Sequence, residues 1–270
     1  MQTCSLGGLA IGGDAPVRLM GVINCSPESF FSGSYVAPDR VGIVASQFAA
    51  SGADIIDVGA RSTALNAPPI SAALEKERVT AALKSLDGTG VRVSIDTMCP
   101  EVLEACIRYG IDAVNDIRGL ADPAMAALIA DAGLPVIAMA ACRRPGDPLG
   151  VEETLRALAR VLERAERHGI RDIILDPGIG RWTEQRTAGH DWDLCRNFAL
   201  FQTFERPLIA AVSRKSFLGD LLKKPPAERL AGSLAVTCFL LEQGAAIVRA
   251  HDVVETRDCI SVFERMQEGL

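Results

Sequence analysis

Basic clusters are missing from this sequence. Against 34 acidic residues it has 28 Lys and Arg, a formal net charge of -6, and no Lys/Arg stripe that could neutralise a nucleic-acid backbone, so polymeric nucleic acid is not an expected partner. Long apolar runs are missing too: the stretch 124–141 is broken by Asp131 and Pro135, and the N-terminus has no basic segment leading into an apolar one. The reading is of a chain without signal peptide or membrane span, located in the cytoplasm. None of the eight cysteines, scattered from Cys4 to Cys259, belongs to a Cys-x-x-Cys pair, which fits reduced, packed thiols better than a disulfide scaffold. Histidine is scarce, and neither His168 nor His190 has metal-ligand spacing to another. No linker or low-complexity stretch divides the 270 residues, of which 49% are apolar and 23% charged. One soluble domain over 1–270 is expected.

What the sequence does have is alternation. Short β-rich runs such as ADIIDV, VRVSID, LPVIAM and RDIILD are separated by longer helix-like segments, the pattern of parallel strands joined by crossover helices. Eight strands are predicted, near 18–23, 53–58, 91–96, 112–116, 134–140, 171–176, 206–212 and 244–250. Several are apolar on both faces, as buried parallel strands are. Asp122 as N-cap, Pro123 at the first helical position and Gly133 past the end delimit one helix. Another is expected over 100–110. In 151–168, Leu155, Leu158, Leu162 and Ala165 fall on one face, which marks a helix on the outside of the sheet. A last helix is expected near 254–267, and Gly7, Gly8, Gly12 and Gly13 suggest a small hairpin before the first strand. A doubly wound open sheet shows the same alternation. Eight units favour the α/β class as a closed (β/α)8 barrel, a TIM barrel, whose chemistry lies at the C-terminal ends of its strands.

Those ends are polar: Asn24, Asp57, Asp96, Asn115, Asp176, Lys215 just beyond strand seven, and Arg249 with His251. Side chains alternate along a strand, so Ser94 and Asp96 share one face while Val93 and Ile95 take the other; Arg249 and His251 likewise point together. Strand-end Asp and Asn often only cap loops and helix N-termini. That explanation fails for Lys and Arg, whose charge is wrong for a helix N-terminus. A set mixing carboxylates, amides and cations suits a ligand with N–H donor edges and an anionic tail. Cys25 reads as a packed thiol, with a nucleophile as the alternative. His190, in a loop with Gly189, and His168, at the end of an outer helix, read as solvated. Lys215 could form a Schiff base, but Arg214 and His251 nearby favour anion binding, and Arg143-Arg144 reads as a solvated loop.

Eight segments carry a resemblance: MGVINCSPESF at 20–30, ADIIDVGARST at 53–63, VSIDTMCPEVLEA at 93–105, NDIRGL at 115–120, LDPGIG at 175–180, SRKSFLG at 213–219, ERLAGSLA at 228–235 and RAHDVVET at 249–256. In this order they resemble the pterin-binding barrels, in particular the dihydropteroate synthase family, over almost the whole chain. The resemblance implies a transferase of folate biosynthesis that couples 6-hydroxymethyl-dihydropterin pyrophosphate to an aryl amine and releases pyrophosphate. It implies that Asp96, Asn115 and Asp176 hold the pterin, with Lys215 at its edge, Met139 against the ring and Arg249 stacked on it. Lys215, Arg249 and His251 would be the catalytic cations. The same resemblance puts Asn24, Phe30, Ser62, Thr63, Ser216, Arg249 and His251 on the anion and aryl-amine side, with Mg²⁺ as cofactor and Asn24 as its protein ligand. Members of the family are often homodimers, though no interface is legible here.

The chain departs from the family on the amine side. Ser62-Thr63-Ala64-Leu65 stands where the common bacterial enzymes have Ser-Thr-Arg-Pro, and Met139-Ala140-Ala141-Cys142-Arg143-Arg144 replaces Met-His-Met-Gln-Gly. Arg61 is the candidate replacement for the lost arginine. The departures resemble the branch associated with tetrahydromethanopterin, where the amine can be a ribofuranosyl-aminobenzene phosphate in place of p-aminobenzoate. Two other functions share the barrel and its pterin residues: a pterin-dependent methyltransferase, which the Ser213–Ser216 and Arg249/His251 cations disfavour because its substrate has no pyrophosphate, and a non-catalytic pterin-binding protein.

Overall fold

The computed structural model describes residues 2–28 and 32–268. Eight parallel strands close a barrel in chain order: β3 (Arg18–Asn24), β4 (Ile55–Gly59), β5 (Val93–Asp96), β6 (Ala113–Asp116), β7 (Val136–Met139), β8 (Ile173–Asp176), β9 (Leu208–Ala210) and β10 (Ala245–Ala250), with β10 pairing back onto β3. Each matches a strand expected from the sequence; β3 and β4 run one residue further at their C-terminal ends, and the other six are trimmed. The trimming is greatest at β9, which meets β8 through the single pair Leu175↔Leu208 and shifts register against β10 between Ala245 and Ile247. Residues flanking it have no ladder partner and are irregular.

Helices α1 (Val41–Ala50), α2 (Ala72–Leu86), α3 (Pro100–Ile107), α4 (Pro123–Asp131), α5 (Gly150–Arg167), α6 (Ala188–Arg196), α7 (Ser216–Leu222), α8 (Leu230–Glu242) and α9 (Val253–Gln267) surround it. Asp122 caps α4 by accepting from Ala124 N at 3.0 Å, a contact worth about 1 kcal/mol. α5 buries Ala157, Leu158, Val161 and Ala165 against the barrel, with Leu155 and Leu162 at the flank of that face. Gly42 lets α1 approach α2, because a Cβ there would lie 1.9 Å from the Ser85 carbonyl oxygen.

The hairpin is present as β1 (Cys4–Leu6) and β2 (Leu9–Ile11). It closes the N-terminal end of the barrel: Cys4, Leu6 and Ile11 are buried with Met20, Ile55, Ala113, Ile137, Ile174, Ile209 and Ile247. Ser5 N donates to Asp172 Oδ1 and Arg92 Nε to the Gly7 carbonyl, both partners standing just before strands. With that end sealed, the opposite end is left for a ligand.

Candidate active site

At the C-terminal ends of the strands lies a cavity of about 110 Å³ whose wall includes Asn24, Ser62, Thr63, Asp96, Asn115, Asp176, Lys215, Arg249 and His251. The barrel's register sets this convergence: Asp96 is the Cα partner of Asn115, Gly59 of both Asn24 and Asp96, and Met139 of Asp176. A wider groove continues outward past Thr63, Ala64, Trp182, Lys215 and Ser216.

Opposite charges interlock across the mouth. Arg249 donates from Nε to Asp57 Oδ2 at 2.7 Å and from Nη2 to Asp96 Oδ2 at 2.9 Å. Asn115 Nδ2 donates to the same Asp57 oxygen at 3.0 Å. Asp176 Oδ1 accepts from Gly178 N at 2.7 Å, and Lys215 Nζ donates to the Ile179 carbonyl. Gly180, at φ +139°, permits that approach: a Cβ there would meet Lys215 Nζ at 3.2 Å. Burial governs the titration of these groups. It pushes Asp96 up to about 7, with the Asp57 charge adding to the effect and Arg249 opposing it. It also raises Asp176 against the pull of Lys215, and lowers Lys215 to about 8 against the pull of Asp176.

His251 shares the cavity but not the charge expected of it. Burial, then Arg249 and Arg214, bring its pKa down to about 3, so it faces a ligand as a neutral imidazole. Arg214 is no anion-binding group either. Its backbone turns at φ +56°, and its guanidinium pairs with Asp252 at 2.6 and 2.8 Å and with the Pro226 and Ala227 carbonyls. Arg61 lines the cavity, yet its Nε is held by Glu75 at 2.6 Å, which ties down the side chain expected to replace the missing loop arginine. Met139 is fully buried, its thioether packed toward the Gly178 turn, and Ser216 lies on the outer groove. Phe30 falls outside the described residues. His190 is not in a loop: it is the third residue of α6 and completes a capping box with Thr187. Cys25 is packed, its thiol pushed up to about 12 by burial, and Arg143 and Arg144 are exposed.

Three groups had no sequence signal of their own. Trp182 lines the cavity, anchored by Nε1 on the Gly178 carbonyl at 2.8 Å with Lys215 Nζ 5.3 Å from its ring. Glu75, buried in α2, accepts from Thr97 Oγ1 at 2.6 Å as well as from Arg61. Arg186 and Asp191 form a fully buried pair at 3.0 Å that also takes the Gly180 N–H. Arg186 and Asp191 are only five positions apart, so what the sequence hides is their burial: a charged residue in a loop or helix reads as solvent-facing until the fold buries it.

A barrel closed at one end, with acceptors and cations converging in a cavity at the other, defines the class: a (β/α)8-barrel enzyme with its site at the C-terminal ends of the strands. Residues 20–251 match the family described as pterin binding enzyme. The chain is 34% identical over 262 residues to the dihydropteroate synthase of Escherichia coli strain K12, covering 92% of this chain and 90% of that one. Two structures of the Thermus thermophilus dihydropteroate synthase, in complex with 6HMPPP and with 4-aminobenzoate, are each 32% identical and superpose with TM-scores of 0.84 and 0.83 over 98% of this chain and all of theirs. The chain belongs to the pterin-binding enzyme family, as a transferase of the dihydropteroate synthase type.

Proposed function

We propose that the whole chain, 1–270, acts as one catalytic unit that joins the methylene carbon of a 6-hydroxymethyl-dihydropterin pyrophosphate to the nitrogen of p-aminobenzoate, with pyrophosphate leaving. The observation that carries this reading is the convergence of Asp96, Asn115 and Asp176 with Lys215 and Arg249 in one cavity. Carboxylates and an amide oxygen accept from the N–H edge of the pterin, and a planar guanidinium both stacks on a ring and binds phosphate. As the carbon–oxygen bond to pyrophosphate breaks, negative charge collects on the leaving group. Lys215 and Arg249 would stabilise it, His251 would donate a neutral N–H, and the outer groove past Thr63, Ser62 and Ser216 would align the amine.

Asn24 is the residue that would hold Mg²⁺. Among the described residues no cluster of His, Cys, Asp or Glu could hold a metal ion, while Asn24 lines the cavity and donates its Nδ2 to Ser34 Oγ at 2.8 Å, which turns its amide oxygen to the other side. One protein oxygen suffices for an ion that keeps most of its waters and binds substrate phosphates, and its charge would assist departure of the pyrophosphate.

The Thermus structures with 6HMPPP and 4-aminobenzoate support this choice of substrates, whereas a ribosylated amine phosphate rests on the altered loops alone. Incubating the protein with the pterin pyrophosphate, Mg²⁺ and either amine, then identifying products by mass, tests it. A pterin–aminobenzoate adduct with stoichiometric pyrophosphate is expected. Coupling confined to the ribosylated amine would replace the amine, and absence of pyrophosphate release with both would overturn the transferase.

A further inference from the structure

Asp57 takes part in none of the roles above. It is fully buried and is not on the cavity wall, yet its Oδ2 accepts from two residues that are, Asn115 Nδ2 at 3.0 Å and Arg249 Nε at 2.7 Å. Its other oxygen, Oδ1, is buried and has no hydrogen-bond partner among the described residues. An orphaned carboxylate oxygen in a barrel interior is costly, on the order of 1–3 kcal/mol or more for a charged group. Structure alone gives little return for that cost, since the matching interior position one layer below is Ile55, which packs without polar atoms.

The return lies in what the single engaged oxygen does to its two partners. A carboxylate oxygen can only accept here, so the Asn115 atom facing it must be the amide nitrogen. The amide oxygen of Asn115 is thereby turned the other way and presented as an acceptor. Without Asp57 the amide could rotate by half a turn and offer N–H to a ligand edge that is itself made of N–H. Arg249 is held by its near nitrogen, Nε, while Nη2 reaches Asp96. A ligand that takes over Asp96 then frees the outer nitrogens of Arg249 without freeing the side chain, which stays tethered at its base.

We propose that Asp57 is a positioning residue: from behind the cavity wall, one carboxylate oxygen fixes Asn115 with its acceptor toward the pterin and anchors Arg249 for the anionic tail. The proposal rests on the reading of the cavity as a pterin site. It extends that reading by coupling the heterocycle end to the anion end through a residue that touches neither.

Calorimetric titration with two separate probes tests it, unphosphorylated 6-hydroxymethylpterin and inorganic pyrophosphate. Asp57→Ala is expected to weaken both by about tenfold or more, the scale of a lost charge-assisted hydrogen bond, whereas Asn115→Ala should weaken only the pterin. Adding Asp57→Ala to Asn115→Ala should cost the pterin several-fold less than Asp57→Ala costs the parent, because one of the two residues through which Asp57 acts is gone and only the anchoring of Arg249 is left to lose. Asp57→Asn, which keeps one acceptor for both donors, should restore pterin affinity to within about threefold of the parent. A purely structural Asp57 would give additive losses and no such rescue, and that result overturns the proposal, as do unchanged affinities in Asp57→Ala. If the alanine variant does not fold, a crystal structure of the parent protein with the pterin decides: Asn115 turned with its nitrogen to the ligand, or Arg249 detached from Asp57, refutes it. Failure of the parent protein to bind the pterin at all would instead remove the pterin reading.

Discussion

Two layers of inward-facing side chains sit one above the other on the same strands. The lower is apolar, built from Ile55, Ala113, Ile174 and Ile247 and sealed beneath by Leu6 and Ile11 of the hairpin. The upper lies two residues further along each strand and holds Asp57, Asn115, Asp176 and Arg249. The difference is one step of the β-strand period, and each layer depends on the other. The apolar floor excludes water from beneath the charges, and that burial drives Asp96 up to about 7 and Lys215 down to about 8. The charges, for their part, tolerate burial because they pair: Arg249 alone bridges Asp57 and Asp96.

Substitutions in the two layers should have separable effects. Ile174→Ala should have the largest effect, on the fold: a fully buried side chain in a barrel that cannot collapse around the gap loses about 2–5 kcal/mol. Denaturant unfolding should register that loss while pterin affinity falls far less. Asp176→Asn, two residues on, should do the reverse. It replaces an acceptor with a group that turns N–H toward N–H donors, at a cost of about 2–4 kcal/mol in pterin binding by calorimetry. The melting temperature should hold, because burial already makes the ionised Asp176 unfavourable. A collapse in both properties for either variant would merge the two layers into one.

The fold was legible because barrel strands and outer helices have different periods. ADIIDV and RDIILD carry the strand signal by themselves, and Asp122-Pro123 marks a helix start. The strand-end polar set was legible for the same reason, since period two separates Ser94 and Asp96 from Val93 and Ile95. What could not be read is which of those residues pair with each other. Asp57 and Arg249 are 192 positions apart, and only barrel closure, with β10 against β3 and β4 beyond it, brings them together. Nor does a sequence carry burial. His251 read as a cation beside Arg249, but its burial next to that very charge keeps it neutral. Arg61 and Arg214 read as available charges, while Glu75 and Asp252 already hold them.

The smallest effect, and the sharpest, concerns pH. Asp96, displaced upward to about 7, must ionise to act as a double acceptor. Affinity for unphosphorylated pterin should therefore rise about tenfold from pH 6 to pH 8 and then level off. Stability should move in the opposite direction. A carboxyl whose folded pKa lies above its unfolded value binds more protons in the folded state between the two, so this group's contribution is present below about 4 and is lost as pH rises through about 7. Lys215, displaced downward to about 8, adds a second limb for ligands that carry the anion. Above that pH it loses the charge that meets pyrophosphate, so the pyrophosphate-bearing pterin should bind best between about 7 and 8 and weaken on both sides, while the unphosphorylated pterin shows no alkaline decline. Lys215→Arg should abolish the alkaline limb, since guanidinium does not titrate in this range. Identical profiles for the two ligands would mean that the upper layer does not divide into an acceptor end and an anion end, and an affinity that is flat between pH 6 and 8 would show that the apolar floor leaves Asp96 an ordinary carboxylate.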